Sequence, residues 1–431
     1  MKKIVFLLCA TFAATASFAY NATLARLIKD NYASKADSLT SALISQFMNT
    51  TKGTFWTTPQ HSNEDTRYIY WQQAHAIDVV IYGYQRHKED NITLATKYRQ
   101  YMTRWYNNHG NNYSGGSTGF ENPFTDDMCW IGLSLMRLSE ALGVATYSNT
   151  AKRLFDNAII TRGQEDERGF WLPWNDSGTG PNACTESPAC LLALKLYLKT
   201  NEEKYLDYAK KLYTFMINNI AKADGRVEDP PLTYTQGTFA EACRVLYHVT
   251  GETIYKTKAQ LYINYAFTSD RCTSNGLLRD EGSSMDQSLF KAVLIPYAVN
   301  YVLDESMTLV SRRNLVSYLQ TNANALWKNL DKEAFPAMYC PYYWGKAYDP
   351  SKDASMGAMV SGASLLENIC RMCIDLTTKP DDDAIQVPLR PIEPQHGNIY
   401  TLSGRLVRRG MNTSGLPAGI YLINNKKIAI H

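Results

Sequence analysis

A helical hairpin that recurs along most of the chain is the feature that most limits how it can fold. From Tyr20 to about Asp375 the apolar periodicity is that of helices, in segments broken by clusters of Gly, Pro, Asn and Asp. The predicted spans are 23–49, 66–87, 91–107, 126–142, 147–160, 183–199, 202–219, 236–249, 252–267, 285–303, 306–327 and 355–376. No alternating strand is predicted before the C-terminal tail. The segments repeat: Leu196-Tyr197-Leu198-Lys199-Thr200-Asn201-Glu202 is echoed by Leu246-Tyr247-His248-Val249-Thr250-Gly251-Glu252. The helices that follow match as well, with Lys204 to Tyr213 aligning with Tyr147 to Phe155 and with Tyr255 to Gln260. A hairpin repeating every ~50–60 residues stacks into an open solenoid or a closed ring. Six hairpins over ~350 residues favour closure, so the expected fold is all-α, an (α/α)6 barrel over 20–376. One helix of each hairpin then lines the inside, and the loops at one end build a cleft.

The ends of the chain read differently. Met1-Lys2-Lys3, an apolar run over 4–16 and Ser17-Phe18-Ala19 have the form of a secretory signal peptide over 1–19. The chain is therefore expected to be exported, to the periplasm, the cell surface or the medium. Later runs fall short of the ~18 apolar residues a membrane span needs. Residues 377–397, with Lys379-Pro380-Asp381-Asp382-Asp383, read as a linker. Residues 398–431 alternate in Ile399-Tyr400-Thr401-Leu402 and again from Gly419, and predict a small β tail.

Among 431 residues, 29 Tyr and 8 Trp against 14 Phe favour aromatics that both stack and hydrogen-bond, as carbohydrate clefts require. A tyrosine-rich helical core has the same composition. A net charge of +3 without a basic tract implies neither nucleic acid nor a membrane surface as partner. Cys184-x5-Cys190 and Cys370-x2-Cys373 lack a second ligand pair at zinc spacing, so the cysteines read mainly as small core residues, with one or two disulfides open. No metal and no cofactor is expected, because phosphate loops, dinucleotide fingerprints and His-Glu-x-x-His are all missing.

Against that background Asp126-Asp127 stands out. Adjacent carboxylates at a helix start repel each other, and retaining glycosidases use two carboxyls only ~5–5.5 Å apart. The plain alternative is a Thr125 N-cap followed by acids that complement the helix dipole. A helix start lowers both pKa values; mutual repulsion and an aromatic cleft raise the second. Other constellations fall at expected inner-helix starts. Trp71, His75 and Asp78 form one helical stripe beside Gln72, read equally as a core network or as a sugar-binding wall. Trp174 lies in an aromatic loop, while Tyr234 and Gln236, like Asp286 and Gln287, open further helices; Asn122 and Trp130 flank the acid pair. Four polar helix starts at one end of a ring suggest a common site.

Four motifs together resemble glycoside hydrolase family 76, the bacterial endo-α-1,6-mannanases of the Bacteroides type. They are Trp71-Gln72-Gln73-Ala74-His75-Ala76-x-Asp78, Asn122 to Trp130, Tyr234 to Phe239, and Asp286-Gln287-Ser288-x-Phe290-Lys291. The resemblance implies an (α/α)6 barrel and retaining cleavage of α-1,6-mannosidic bonds in a polysaccharide, α-mannan. It makes Asp126 the nucleophile and Asp127 the acid/base, with Trp71, Gln72, His75, Asp78, Asn122, Trp130, Trp174, Tyr234, Gln236, Asp286 and Gln287 as candidate substrate contacts. Phe124-Thr125 stands where many relatives have Tyr, a departure that bears on subsite contacts. A transglycosylase acting on α-mannosides and a non-catalytic glycan-binding protein on the same ring are the competing readings. The protein is expected to be a monomer. Its tail, with Tyr400 to Val407 and Gly419 to Ile423, also looks like the sorting tails of exported Bacteroidetes proteins.

Overall fold

The computed structural model describes residues 32–61, 69–112, 119–333 and 338–378, with 398–401, 406–409, 413–414, 416, 418–423 and 426–430 of the tail. The expected signal peptide, and the expected linker beyond residue 378, lie outside the described residues. The chain divides into a helical unit, 24–376, and a second unit that contains the tail strands.

Twelve helices are described in the helical unit. They are α1 (Tyr32–Phe47), α2 (Tyr70–His87), α3 (Ile92–Asn112), α4 (Thr125–Leu142), α5 (Ala145–Leu154), α6 (Ala183–Thr200), α7 (Glu203–Phe215), α8 (Thr233–Thr250), α9 (Thr253–Thr268), α10 (Met285–Leu303), α11 (Leu309–Asn329) and α12 (Met356–Thr378). The even-numbered helices are the inner ones. Each of α2, α4, α6 and α8 packs on the next inner helix, and each of α2, α4, α6, α8 and α10 pairs with the odd-numbered helix that follows it. Glycines let the inner backbones approach: a Cβ on Gly132 would lie 2.5 Å from Leu192 Cδ2, and one on Gly237 2.8 Å from Leu294 Cα.

The sixth pair joins the two ends of the chain. Ser361 and Ser364 of α12 donate to the carbonyls of Ser288 and Ala292 on α10. On its other side Glu367 accepts from Arg86 of α2 at 2.9 Å and from Thr40 of α1 at 2.7 Å. The ring therefore closes by burying a carboxylate that one guanidinium and one hydroxyl satisfy together. This is the (α/α)6 arrangement the hairpin repeat predicts, with the outer partner of α12 supplied by the N-terminal helix.

The repeat also explains the hairpin turns. Gly143, Asn201 and Gly251 all adopt the left-handed conformation, and their N–H groups bond the carbonyls of Ser139, Tyr197 and Tyr247. Each ends an inner helix and leaves only a short connection to the outer helix. All three turns lie at the end of the ring away from the inner-helix starts, which frees the start end for longer loops.

Two of those loops contain strands that the periodicity does not predict. β1 (Gln164–Asp166) pairs with β2 (Gly169–Trp171), and β3 (Thr273–Ser274) with β4 (Leu277–Leu278). Strands of two or three residues are too short to show alternation, although the Asn275-Gly276 turn, with both φ positive, is a hairpin signal. The tail unit is a four-stranded antiparallel sheet in the order β6 (Leu406–Arg409), β5 (Asn398–Thr401), β7 (Gly419–Ile423), β8 (Lys426–Ile430). Ile399, Tyr421 and Ile423 form its small core, flanked by Leu416 and Ile430. The eight described cysteines form no disulfide with one another, and seven of them are buried. Among the described residues no helix is long and apolar enough to cross a membrane.

Candidate active site

The site is built by a positional rule. The second residue of each of five inner helices, α2, α4, α6, α8 and α10, is Trp71, Asp126, Cys184, Tyr234 or Asp286. Trp71 Nε1 donates to Asp286 Oδ1 at 3.1 Å, and Gln72 Nε2 donates to the same oxygen. Tyr234 stacks on Phe290 with ring centroids 4.3 Å apart, and Trp71 lies 6.3 Å and 6.2 Å from these two rings. Trp130, one turn below Asp127, is 6.1 Å from Tyr234 and 5.3 Å from His75. These rings form an aromatic floor whose upper members, Trp71 and Tyr234, remain half-buried.

Above that floor Asp126 and Asp127 occupy the first turn of α4. Asp126 Oδ2 accepts from Trp174 Nε1 at 3.0 Å and faces Cys184 Sγ at 3.5 Å, while Oδ1 accepts from the Asp127 N–H at 2.9 Å. Burial pushes the Asp126 carboxyl up, these donors oppose it, and the balance lies at about 6. Among the described residues Asp127 has one side-chain donor, Asn122 Nδ2 at 2.7 Å. Burial raises it well above the usual carboxylate range, the negative charge of Asp126 adds to this, and Asp286 adds further. Both carboxyls are therefore raised: burial outweighs the helix start, which alone would lower them.

Thr125 does not cap α4, contrary to the simple expectation. Phe124 is the cap residue, in extended backbone, and its side chain makes no capping hydrogen bond. The loop after β2 occupies that position instead. Thr125 N donates to Trp174 O at 2.8 Å, Asp176 N donates to Pro123 O at 2.9 Å, and Phe124 pairs with Asn175 as an isolated bridge. Thr125 Oγ1 accepts from Arg162, which also donates to the Pro123 and Asn122 carbonyls. The loop that carries Trp174 and the turn that carries the acid pair are thus fixed to each other.

The other predicted contacts separate into three groups. Trp71, Gln72, Asn122, Trp130, Trp174, Tyr234 and Asp286 gather around the acid pair. His75 and Asp78 lie below the floor: His75 Nδ1 is 3.3 Å from Asp78 Oδ2, which accepts from Arg137 Nη1 at 2.8 Å. Burial lowers the His75 pKa, so the ring is neutral, and with Nδ1–H donating to Asp78 it serves as a packed spacer between Trp71 and Trp130. Asp78 belongs to a core network. Gln236 and Gln287 are not brought to the cluster. Gln236 is fully buried, accepting from Val227 N and donating to the carbonyls of Gly225 at 3.0 Å and Tyr262 at 3.1 Å. Gln287 closes a capping box with Ser284 at the start of α10.

Three groups at the site are missing from the predicted substrate contacts. Cys184 sits at the same helical position as Asp126, and that register is the signal that finds it. Phe290 lies one turn below Asp286. Glu228 comes from the loop before α8, which has no periodicity to mark it.

The profile of glycosyl hydrolase family 76 matches residues 31–374. The chain belongs to this family. Glycoside hydrolysis is accordingly the activity for which family membership speaks. No curated protein matches the chain. Among solved structures, an inactive variant of the α-1,6-mannanase GH76A from Salegentibacter sp. HEL1_6, in complex with α-1,6-mannotriose, is 24% identical with a TM-score of 0.70, over 79% of this chain and 100% of that one. Lin0763 from Listeria innocua is 22% identical with a TM-score of 0.69, over 81% and 99%. The family 76 mannosidase Bt3792 from Bacteroides thetaiotaomicron is 15% identical with a TM-score of 0.63, over 81% and 100%. At these identities the likenesses establish the (α/α)6 fold of the family.

Proposed function

We propose that the protein is a secreted, monomeric endo-α-1,6-mannanase that cleaves mannan with retention of configuration. The observation that carries this reading is the unequal treatment of the two adjacent carboxyls. Asp126 is held by Trp174, Cys184 and a backbone N–H, all of which favour its ionised form, as a nucleophile requires. Asp127 has one such donor and faces the charges of Asp126 and Asp286, which favour its proton, as a general acid requires. In the first step an Asp126 oxygen attacks the anomeric carbon and the bond to the leaving oxygen breaks. Asp127 gives its proton to that oxygen. In the second step Asp127 takes a proton from water, whose oxygen attacks the same carbon and frees Asp126. Trp71, Tyr234 and Trp174 supply faces on which mannosyl rings stack, and Asn122 and Asp286 hold the polar frame. The inactivated Salegentibacter mannanase has asparagine in place of two adjacent aspartates, in keeping with a paired-aspartate centre.

Incubation with linear α-1,6-mannan tests the whole reading. Endo hydrolysis yields a ladder of short oligomers, and proton NMR of the first products shows the α-anomer. A β-anomer would overturn the assignment of Asp126 as nucleophile, free mannose alone would overturn endo action, and products longer than the substrate would identify a transglycosylase. Export rests on the basic, apolar and small-residue order of residues 1–19. We read the β tail as a sorting tail, and mass spectrometry of the exported protein decides it: an intact end at His431 would overturn a cleaved signal.

A further inference from the structure

Glu228, in the loop that leads into α8, is a carboxyl that the mechanism above leaves without a task. Its neighbours in the chain are pinned. Val227 N bonds Gln236 Oε1, and Asp229 is clamped by Arg226 Nη1 at 2.8 Å and Arg271 Nη2 at 2.6 Å. Between those anchors Glu228 remains half-buried, with a single side-chain partner among the described residues, Thr235 Oγ1 at 2.6 Å. Thr235 Oγ1 is also 3.0 Å from Leu232 O, so its one proton serves either the carboxylate or that carbonyl. Thr235, which donates to Glu228, directly follows Tyr234 in the first turn of α8, and the Glu228 charge reaches Cys184 and Tyr234, which also feel the charge of Asp126. The hydrogen bond to Thr235 thus ties the Glu228 carboxyl to the first turn of α8, the turn that carries the Tyr234 ring. Among the described residues no arginine or lysine forms an ion pair with it, and burial pushes it up to about 7. A carboxyl with spare acceptor capacity, held rigidly beside a stacking ring, has the attributes of a sugar-hydroxyl acceptor.

We propose that Glu228 is a substrate-binding residue that accepts hydroxyl hydrogen bonds from the mannosyl unit attacked by Asp126, and so helps select that sugar. The proposal rests on the mannanase reading. A simple structural role, bracing the start of α8 through Thr235, is the alternative that the experiment must separate.

The test uses the full chain carrying Asp126→Asn and Asp127→Asn, titrated calorimetrically with α-1,6-mannotriose, with and without Glu228→Gln or Glu228→Ala. Loss of a charged acceptor should weaken binding roughly tenfold or more in the alanine variant and less in the glutamine variant. With the acid pair intact, Glu228→Gln should lower kcat/KM on linear α-1,6-mannan by about tenfold and leave the melting temperature unchanged. Monodeoxygenated mannotrioses give the discriminating readout. The analogue lacking the hydroxyl that Glu228 holds binds weakly to the Glu228 protein and loses nothing further in Glu228→Gln, whereas a bracing role penalises every analogue alike. Affinity and kcat/KM within twofold of the parent, or a uniform penalty across the analogues, overturns the proposal. A parent protein that neither binds mannotriose nor cleaves mannan overturns the mannanase reading and this proposal together, an outcome distinct from intact cleavage by Glu228→Ala.

Discussion

Two sets of buried carboxyls share the interior of this ring, and burial acts on both in the same direction. Toward the turn end, burial also pushes Asp78, Glu241 and Asp304 up, yet all three finish below the usual range. Arg137 sits 2.8 Å from Asp78, and Arg244 bridges Glu241 at 2.7 Å and Asp304 at 2.8 Å. Asn300 adds a donor to Glu241, and His248 and Ser306 add donors to Asp304. At the cleft end Asp126, Asp127 and Glu228 have indole, thiol, amide and hydroxyl partners, and finish high. The contrast between guanidinium and neutral donors is what separates a structural carboxylate from one available for proton and bond chemistry. Burial alone would have marked all six.

The comparison breaks most visibly by mutation of the cleft acids. Asp126→Ala and Asp127→Ala should each lower the release of reducing ends from α-1,6-mannan by about a thousandfold or more, with the helical circular dichroism unchanged. Residual activity above one tenth in either variant would remove that aspartate from the chemistry. At the turn end the same kind of truncation should act on the fold instead. Arg137→Met leaves Asp78 buried without its cation, and should cost about 3–5 kcal/mol in urea unfolding.

Stability and pH sharpen the contrast with opposite signs. Asp126 has a folded pKa of about 6, above its ordinary value of 3.8, so the folded state holds the proton more tightly. Its contribution is therefore a penalty, absent below pH ~4, growing through the window up to pH ~6 and complete above it. Asp126→Asn should raise stability at pH 7 by about 1–3 kcal/mol, and the gain should vanish at pH 4. Asp304, at about 2 in the fold, carries the reverse sign: it stabilises above pH ~4 and loses that contribution as pH falls toward 2. Asp304→Asn should consequently destabilise at pH 7, as thermal unfolding at the two pH values would show. Identical pH responses in the two variants would contradict the division.

Much of this was legible from periodicity, because hairpin repeats impose it. All twelve described helices lie within the predicted spans or a few residues of them, and the Asn201 and Gly251 turns sit where the repeated Leu-Tyr segments end. The acid pair was legible because two adjacent charges at a helix start are costly. What escaped was set by tertiary partners. Gln236 shares a motif with Tyr234 but points two residues around the helix, into the loop at Gly225 and Val227. Thr125 has the chemistry of a cap, yet the Trp174 loop takes the cap's place. Glu228 lies in an aperiodic loop, where pattern is silent and only the fold brings it against Thr235 in the first turn of α8. Closure itself is predicted by the repeat, but the side chains that make it were equally hidden, since Thr40 and Glu367 are 327 positions apart.

The smallest effect expected is also the most specific. Trp174 Nε1 is the strongest opposing influence on Asp126 after burial, since it donates to the carboxylate and so favours its charged form. Phenylalanine keeps a ring near Phe124, whose centroid lies 5.0 Å from that of Trp174, but removes the donor. The folded pKa of Asp126 must then rise above about 6, because burial meets less opposition. Since the nucleophile acts ionised, the acid limb of the kcat/KM profile should move to higher pH, by about half a unit to one unit. In the proposed mechanism the alkaline limb reports Asp127 losing its proton, and it should move little, because Asp126 is already ionised there and still repels it. Kinetics of Trp174→Phe across pH 4 to 9 would check this, and an acid limb that stays in place would show that the indole serves only as a stacking face.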